Sequence, residues 1–193
     1  DGARNLQALI SRAGGAYLDG AMLVDPAAIG TPKGSIIYSG DPDTFEKIKP
    51  ILEKWGKAHF VGEDAGIAAT LDLALNTAGL PMEVGFLQAR KLCQQQNVPL
   101  ELYDMLVHSF LTDHLVRLRD WMQMPGDATT MKSGASVSVL AEIADAIADY
   151  LKEQQIDTGM FDALSQLYAS GIASGRGDED SLCVADLHVT SGE

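Results

Sequence analysis

The sequence has little cysteine, little positive charge and no long apolar run. Its two cysteines, Cys93 and Cys183, do not have the spacing of a metal site, so we expect reduced thiols and a cytoplasmic protein. The chain has 14 Lys and Arg residues and 27 Asp and Glu residues, which gives a net charge of -13, and the sequence has no basic cluster. This charge argues against nucleic acid or an anionic membrane as the main partner. No apolar run approaches the roughly 18 residues of a membrane span, so we expect no membrane association.

A glycine-rich dinucleotide-binding turn is also absent. None of the 19 glycines falls in the pattern Gly-x-Gly-x-x-Gly, in which backbone donors and the start of a helix hold a pyrophosphate. Residues 1–14 resemble the end of an element already under way, and the chain begins at Asp1, so we expect further residues upstream. By themselves, the 193 residues should not bind a dinucleotide with ordinary affinity.

What is present between residues 1 and 62 is an alternation of short strands and helices. A helical stripe ends at Gly14-Gly15, and Asp41-Pro42 supplies a capping residue followed by proline, the usual start of a helix. Apolar runs bounded by turn residues predict strands. The predicted elements are helices at 4–12 and from 41 to about 55, and strands at 17–24, 35–39 and 57–61. This pattern indicates the edge of an α/β domain.

From residue 63 to residue 193 the periodicity is helical, so the predicted fold is mainly α, with a domain boundary at residues 62–63. A segment over 65–95 is apolar on nearly every side, which predicts a buried central helix, kinked near Gly79 and Pro81. Further helices are predicted over 100–124, over 137–151 and around 161–168. In the helix over 137–151 we expect an inner stripe of Leu140, Ile143, Ala144, Ile147 and Leu151.

Asp72 is the residue of most chemical interest, because it is the only charged residue between Asp64 and Glu83. An ionised carboxylate buried without a partner costs several kcal/mol, so Asp72 should be paired, face a cleft or be protonated. Pairing with a Lys or Arg, or capping of a neighbouring helix, would make it structural. A cleft position or a raised pKa would indicate a functional site.

Four segments, in order along the chain, resemble imine reductases and reductive aminases. This family is related to the β-hydroxyacid dehydrogenases of the 6-phosphogluconate dehydrogenase-like superfamily. Gly62 to Leu80, with its Leu-x-Asp-Leu-Ala-Leu context, resembles the family's interdomain helix. The other three segments are 17–21 (followed by 37–40), 126–132 and 175–180, the last being Gly-Arg-Gly-Asp-Glu-Asp.

The resemblance implies NADPH-dependent hydride transfer to a C=N bond, with an imine or amine as the small-molecule substrate. Asp72 is implied as the proton donor, with a pKa raised by apolar surroundings and lowered by any nearby Lys132. Leu80 occupies a position where many members have tyrosine, and Met131-Lys132 one where many have Met-Gln, so these three residues are implied as substrate-binding. Which residues bind the cofactor is left open, and we expect no metal.

The resemblance also implies a domain plan. Residues 1–62 would be the C-terminal part of a Rossmann-like nicotinamide-binding domain, and residues 63–193 an all-α substrate and dimerisation domain. The long central helix would be swapped between the two subunits of a homodimer. The 193-residue chain alone, without the glycine-rich fingerprint, is expected to be inactive.

Two alternatives stay open at this point. The chain could be a dimeric helical module for binding or assembly without catalysis. It could also be a β-hydroxyacid dehydrogenase resembling 3-hydroxyisobutyrate dehydrogenases, although these carry a catalytic lysine on the central helix and this chain has none between Lys57 and Lys91. Lys132 could repel a cationic iminium, pair with Asp72 or a cofactor phosphate, or be an exposed residue at a helix start.

Overall fold

A computed structural model of the chain describes residues 2–123 and 132–186. The chain divides into two compact units, Asp1–Met82 and Glu83–Glu193, which are described separately below. The division falls within helix α3, Gly66–Gln95, which is continuous through Gly79 and Pro81. The domain boundary at residues 62–63 therefore stays a prediction, although the last strand of the described chain does end at Gly62.

The first unit contains a three-stranded sheet in the order β1-β2-β3. Strand β1 (Leu18–Met22) pairs antiparallel with β2, and β3 (Lys57–Gly62) pairs parallel with β2. Strand β2 (Ser35–Gly40) lies in the centre, and all its residues except Ser35 are buried. The helices are α1 (Gly2–Arg12), α2 (Pro42–Leu52) and the first part of α3. This agrees with the predicted order of elements.

Helix α2 begins as its sequence predicts. The Asp41 carboxylate accepts a hydrogen bond from the Thr44 backbone N–H at 2.7 Å, and Pro42 takes the first helical position. Phe45 on this helix packs against Phe60 of β3, with 5.1 Å between the ring centroids. A core forms around Ile36, Tyr38, Phe45 and Leu52, so α2 covers one face of the sheet.

The second unit is helical in its described part. After α3 come α4 (Leu100–Met122), α5 (Val137–Glu153) and α6 (Gly159–Ala173), and the described chain ends in a short 3-10 helix over Ser181–Asp186. These bounds lie within a few residues of the predicted ones. No helix in the described ranges has both the length and the apolar character needed to cross a membrane.

The predicted inner stripe of helix α5 is confirmed at Ala144 and Leu151 and is wrong at Ile143 and Ile147. Its buried residues are Val137, Ala141, Ala144, Ala148 and Leu151. Ile143 and Ile147, which we expected inside, are exposed. The physical reason is that alanines let α6 pack close to α5, whereas the two isoleucines face away from the core of the single chain.

The prediction of a buried central helix is wrong for the single chain. Only Gly66 and Ala68 are buried in α3. Leu73 is 70% exposed, and a row of other apolar side chains on the helix is also exposed. They are Leu71, Leu75, Leu80, Met82, Val84 and Leu87. The helix is apolar, as predicted. However, no other part of the described chain packs closely enough to bury these side chains.

Candidate active site

Asp72 lies in the second turn of α3 and is half-buried. The side-chain amide of Asn76 donates to Asp72 Oδ1 at 3.2 Å and to the Asp72 backbone carbonyl at 2.9 Å. Among the described residues, no Lys, Arg or His lies within ion-pair distance of Asp72. The described structure thus does not supply the cationic partner that would make Asp72 a structural acid.

Leu80 lies eight residues after Asp72, just over two helical turns, so the two side chains project toward one side of α3. Its side chain is 57% exposed. Asp72, Asn76 and Leu80 therefore form a column along the helix, spaced by four residues each. The column presents a carboxylate and an amide next to an apolar side chain.

The other predicted substrate-binding residues belong to the second unit. Met131 lies outside the described residues, as does the segment from Gly126 that carries part of the resemblance. Lys132 is exposed and directly precedes Ser133, whose backbone is firmly held. The structure thus brings Asp72 and Leu80 together on one helix and places Lys132 in the other unit.

The start of α3, which carries Asp72, is fixed by polar contacts from several elements. Four consecutive backbone N–H groups have partners there. Ala65 N donates to Gln7 Oε1, Gly66 N to Asp64 Oδ1, Ile67 N to the Asp64 carbonyl and Ala68 N to Ser39 Oγ. These are the groups that a helix cannot satisfy internally. We call this set of contacts the α3 anchor.

Two side chains reinforce the α3 anchor. Ser39, fully buried on β2, donates its hydroxyl to the Ala65 carbonyl at 2.8 Å. Arg4 of α1 donates to both carboxylate oxygens of Asp64, at 2.8 and 2.9 Å. This ion pair, and then the bond from Gly66 N, hold the pKa of Asp64 below its ordinary value. Gly66 leaves room for Arg4, because a Cβ there would lie 2.5 Å from the guanidinium carbon.

In the second unit, the Gly-Arg-Gly-Asp-Glu-Asp turn holds the segment that follows Lys132. The Asp180 carboxylate accepts backbone hydrogen bonds from Ser133, Gly134 and Leu182 at 2.9 to 3.1 Å. Burial pushes the pKa of Asp180 up, but these bonds outweigh it and lower the pKa overall. Asp180 is therefore an ionised acceptor at neutral pH.

Sequence reasoning missed Asn76, Ser39, Arg4 and the contacts of Asp180. Asn76 has a local signal, because an amide four residues after a carboxylate on a helix can reach it. The contacts of Arg4 and Ser39 cross separations of 60 and 29 residues, and no local pattern reports them. Asp180 was noticed only as part of a turn.

Comparison with known proteins links these features to a family. No protein-family model matches the chain. Over 185 residues, 92% of the chain, it is 28% identical to an NADPH-dependent reductive aminase of Aspergillus oryzae. It superposes with a TM-score of 0.82 and 25% identity on a reductive aminase from Aspergillus terreus, solved with NADPH and ethyl levulinate; this match covers 96% of the chain. The chain is also similar to an imine reductase from Myxococcus stipitatus, with a TM-score of 0.74 and 26% identity over 95% of the chain and 65% of that structure.

This relationship has defined limits. The chain spans 62% of the length of the Aspergillus oryzae enzyme and 65% of the Aspergillus terreus structure, and it corresponds to the C-terminal portion of that fold. A more distant relative is an L-threonate dehydrogenase of Pectobacterium atrosepticum, 24% identical over 174 residues, which is 86% of the chain and 56% of that enzyme. The proteins that the chain is similar to are thus imine reductases, reductive aminases and a hydroxyacid dehydrogenase.

Proposed function

We propose that the complete protein containing this chain is an NADPH-dependent oxidoreductase that reduces a C=N bond, as an imine reductase or reductive aminase. The observation that carries the proposal is Asp72. This half-buried carboxylate has no cationic partner among the described residues and stands beside Asn76 and Leu80. The alignment with the Aspergillus oryzae reductive aminase extends over 92% of this chain.

In the proposed reaction, Asp72 supplies a proton. Its carboxyl group donates the proton to the imine nitrogen, which makes the carbon a better hydride acceptor and leaves a carboxylate. Bound NADPH supplies the hydride to that carbon. The Asn76 amide donates to Asp72 Oδ1 at 3.2 Å, so it orients the carboxyl group along α3. Leu80, Met131 and Lys132 are proposed to contact the imine or amine substrate.

Residues outside this chain are proposed to hold the cofactor's pyrophosphate, because the 193 residues contain no Gly-x-Gly-x-x-Gly turn. The chain would instead supply the acid and part of the cleft wall. We assign residues 1–62 to the nicotinamide-binding domain and residues 63–193 to the substrate domain. Cys93 and Cys183 are not in disulfide bonds, which supports a reducing, cytoplasmic location.

We also propose a homodimer in which α3 packs against a second copy of the chain. The exposed row from Leu71 to Leu87 follows a helix whose only charged residue between Asp64 and Glu83 is Asp72. A polar solvent would not stabilise so long an apolar surface, and an equivalent helix would bury it. Burial in the dimer would also desolvate the surroundings of Asp72.

The experiment is a comparison of NADPH oxidation by the complete protein and its Asp72→Asn variant, with a cyclic imine such as a pyrroline. We expect kcat to fall about 100-fold or more, the usual contribution of a positioned acid. Glu83→Gln is the matched control, because it removes one charge from an exposed residue of the same helix. Equal rates for wild type and Asp72→Asn would remove Asp72 from the mechanism.

Kinetic assays of the complete protein would also distinguish two other functions. Similarity to an L-threonate dehydrogenase favours oxidation of a hydroxy acid as the second candidate. NADP⁺ reduction with a hydroxy acid, and no turnover of the imine, would support that candidate. Absence of turnover with either substrate class would support a non-catalytic helical module.

A further inference from the structure

The Asp180 carboxylate lies at the centre of a polar network that connects two separate parts of the second unit. Oδ2 accepts from Ser133 N at 2.9 Å and from Gly134 N at 3.1 Å, while Oδ1 accepts from Leu182 N at 3.1 Å. Ser133 N also lies 3.1 Å from Oδ1. One side chain thus binds two backbone groups across 47 and 46 residues of sequence and one group in its own turn.

Neighbouring contacts keep this network in one geometry. The hydroxyl groups of Ser133 and Ser181 are 2.8 Å apart, and Ser181 is buried and donates its N–H to the Ala135 carbonyl. Ser136 forms an isolated antiparallel bridge with Asp180. Gly177 allows the turn to approach α5, because a Cβ there would lie 2.8 Å from Ser138 Oγ. Residues 133–136 are therefore fixed on both sides.

Lys132 is attached directly to this fixed segment. Its side chain is exposed, but the peptide group that joins it to Ser133 donates its N–H to Asp180. The Asp180 carboxylate thus holds the peptide group on the C-terminal side of Lys132. The Asp180 carboxylate acts here as an acceptor for three backbone N–H groups.

We propose that Asp180 is a positioning residue for substrate binding, which holds the backbone at Ser133 and Gly134 and through it the position of Lys132. The proposal rests on the proposed function, in which Lys132 contacts the substrate. A merely structural role for Asp180 would stabilise the second unit without any selective effect on the substrate. A positioning role requires that its effect on binding depend on Lys132.

The test is a double-mutant cycle in the complete protein with Asp180→Asn, Lys132→Ala and the combined variant. For each we would measure kcat and KM with the cyclic imine, the NADPH Kd from cofactor fluorescence, and Tm. We expect Asp180→Asn to raise the KM about tenfold with little change in kcat or NADPH Kd, because a misplaced contact weakens substrate positioning. In the Lys132→Ala background, the same change should alter the KM by less than about twofold.

Asp178→Asn is the matched control, since it removes the same charge from an exposed position of the same turn, and its KM should equal that of wild type. If Asp180→Asn does not fold, Asp180→Glu replaces it in the cycle, because it keeps the charge but displaces the carboxylate from the backbone N–H groups of Ser133 and Gly134. Additive effects on KM, or a fall in kcat alone, would overturn the positioning role while the proposed function stands. No imine turnover by wild type would overturn both.

Discussion

The two parts of helix α3 differ sharply. At its start, the four consecutive backbone N–H groups from Ala65 to Ala68 have partners, and Gly66 and Ala68 are buried. From Leu71 to Leu87 the same helix exposes apolar side chains along its length. Contacts within the chain thus fix the start of α3. The apolar side chains along the rest of the helix are not buried by other described residues.

This difference shows which interactions the chain provides for itself. Polar contacts of the α3 anchor set where the helix begins and how it leaves the sheet, so they set the position of Asp72 two turns later. The apolar row provides little stability until another surface covers it, since only area removed from water contributes. The following predictions separate these two contributions.

The largest effect should come from a charge placed in the exposed row. Leu73→Glu replaces a side chain that is 70% exposed in the single chain. If a second copy covers it, burying an unpaired carboxylate would weaken the dimer by at least about 3 kcal/mol, more than 100-fold in Kd. Light scattering and sedimentation of the complete protein would measure this.

Gln95→Glu is the control for that experiment, because it adds the same charge at an exposed position near the end of α3. It should leave the dimer intact. A monomeric wild type at micromolar concentration, or a Leu73→Glu variant that dimerises as tightly as wild type, would contradict the proposal that α3 packs against a second copy.

A smaller effect should follow from Ser39→Ala in the α3 anchor. The substitution removes a buried hydroxyl that bonds both the Ala65 carbonyl and the Ala68 N–H. Leaving such groups without partners costs about 1 to 3 kcal/mol. Denaturant unfolding should show that loss in the free energy of unfolding, whereas Ser35→Ala on the same strand should show much less. Equal stability of the two variants would mean that water replaces the hydroxyl.

The smallest effect concerns pH and the Arg4–Asp64 pair. Because hydrogen bonds from Arg4 and Gly66 lower the pKa of Asp64 in the folded protein, its carboxylate contributes stability above the unfolded pKa of about 3.9. That contribution is lost as the pH falls through the lowered folded value. The Tm difference between wild type and Asp64→Asn should therefore be constant from about pH 7 to pH 5 and shrink below about pH 4. A difference independent of pH would exclude the ionised pair as its cause.

The order of the elements could be predicted from the sequence because their signals are local. Asp41-Pro42 specifies the start of α2, and the apolar run over residues 65–95 specifies one long helix. Asp72 stood out because charged residues are rare around it. Asp72 lies on helix α3, as the sequence predicts. Its role as proton donor stays a prediction.

The remaining features depend on distances that no local pattern encodes. Ile143 and Ile147 have the spacing of an inner helical stripe. The spacing alone does not show whether a helix of the same chain or another surface covers them. Ser39 and Arg4 carry no signal of their own, because their significance lies in partners 26 to 60 residues away. The Asp180 motif was recognisable, yet only the folded structure brings its carboxylate to Ser133.

The position of Ser39 has a kinetic consequence. A helix usually takes its capping group from the residue just before it, so its first turn can form early and alone. For α3, part of that capping comes from a strand 29 residues earlier, and another part from Gln7, 58 residues before Ala65. Loop closure must precede these bonds. We therefore expect the first turn of α3 to be completed together with the sheet, so that the position of Asp72 is set at that step of folding.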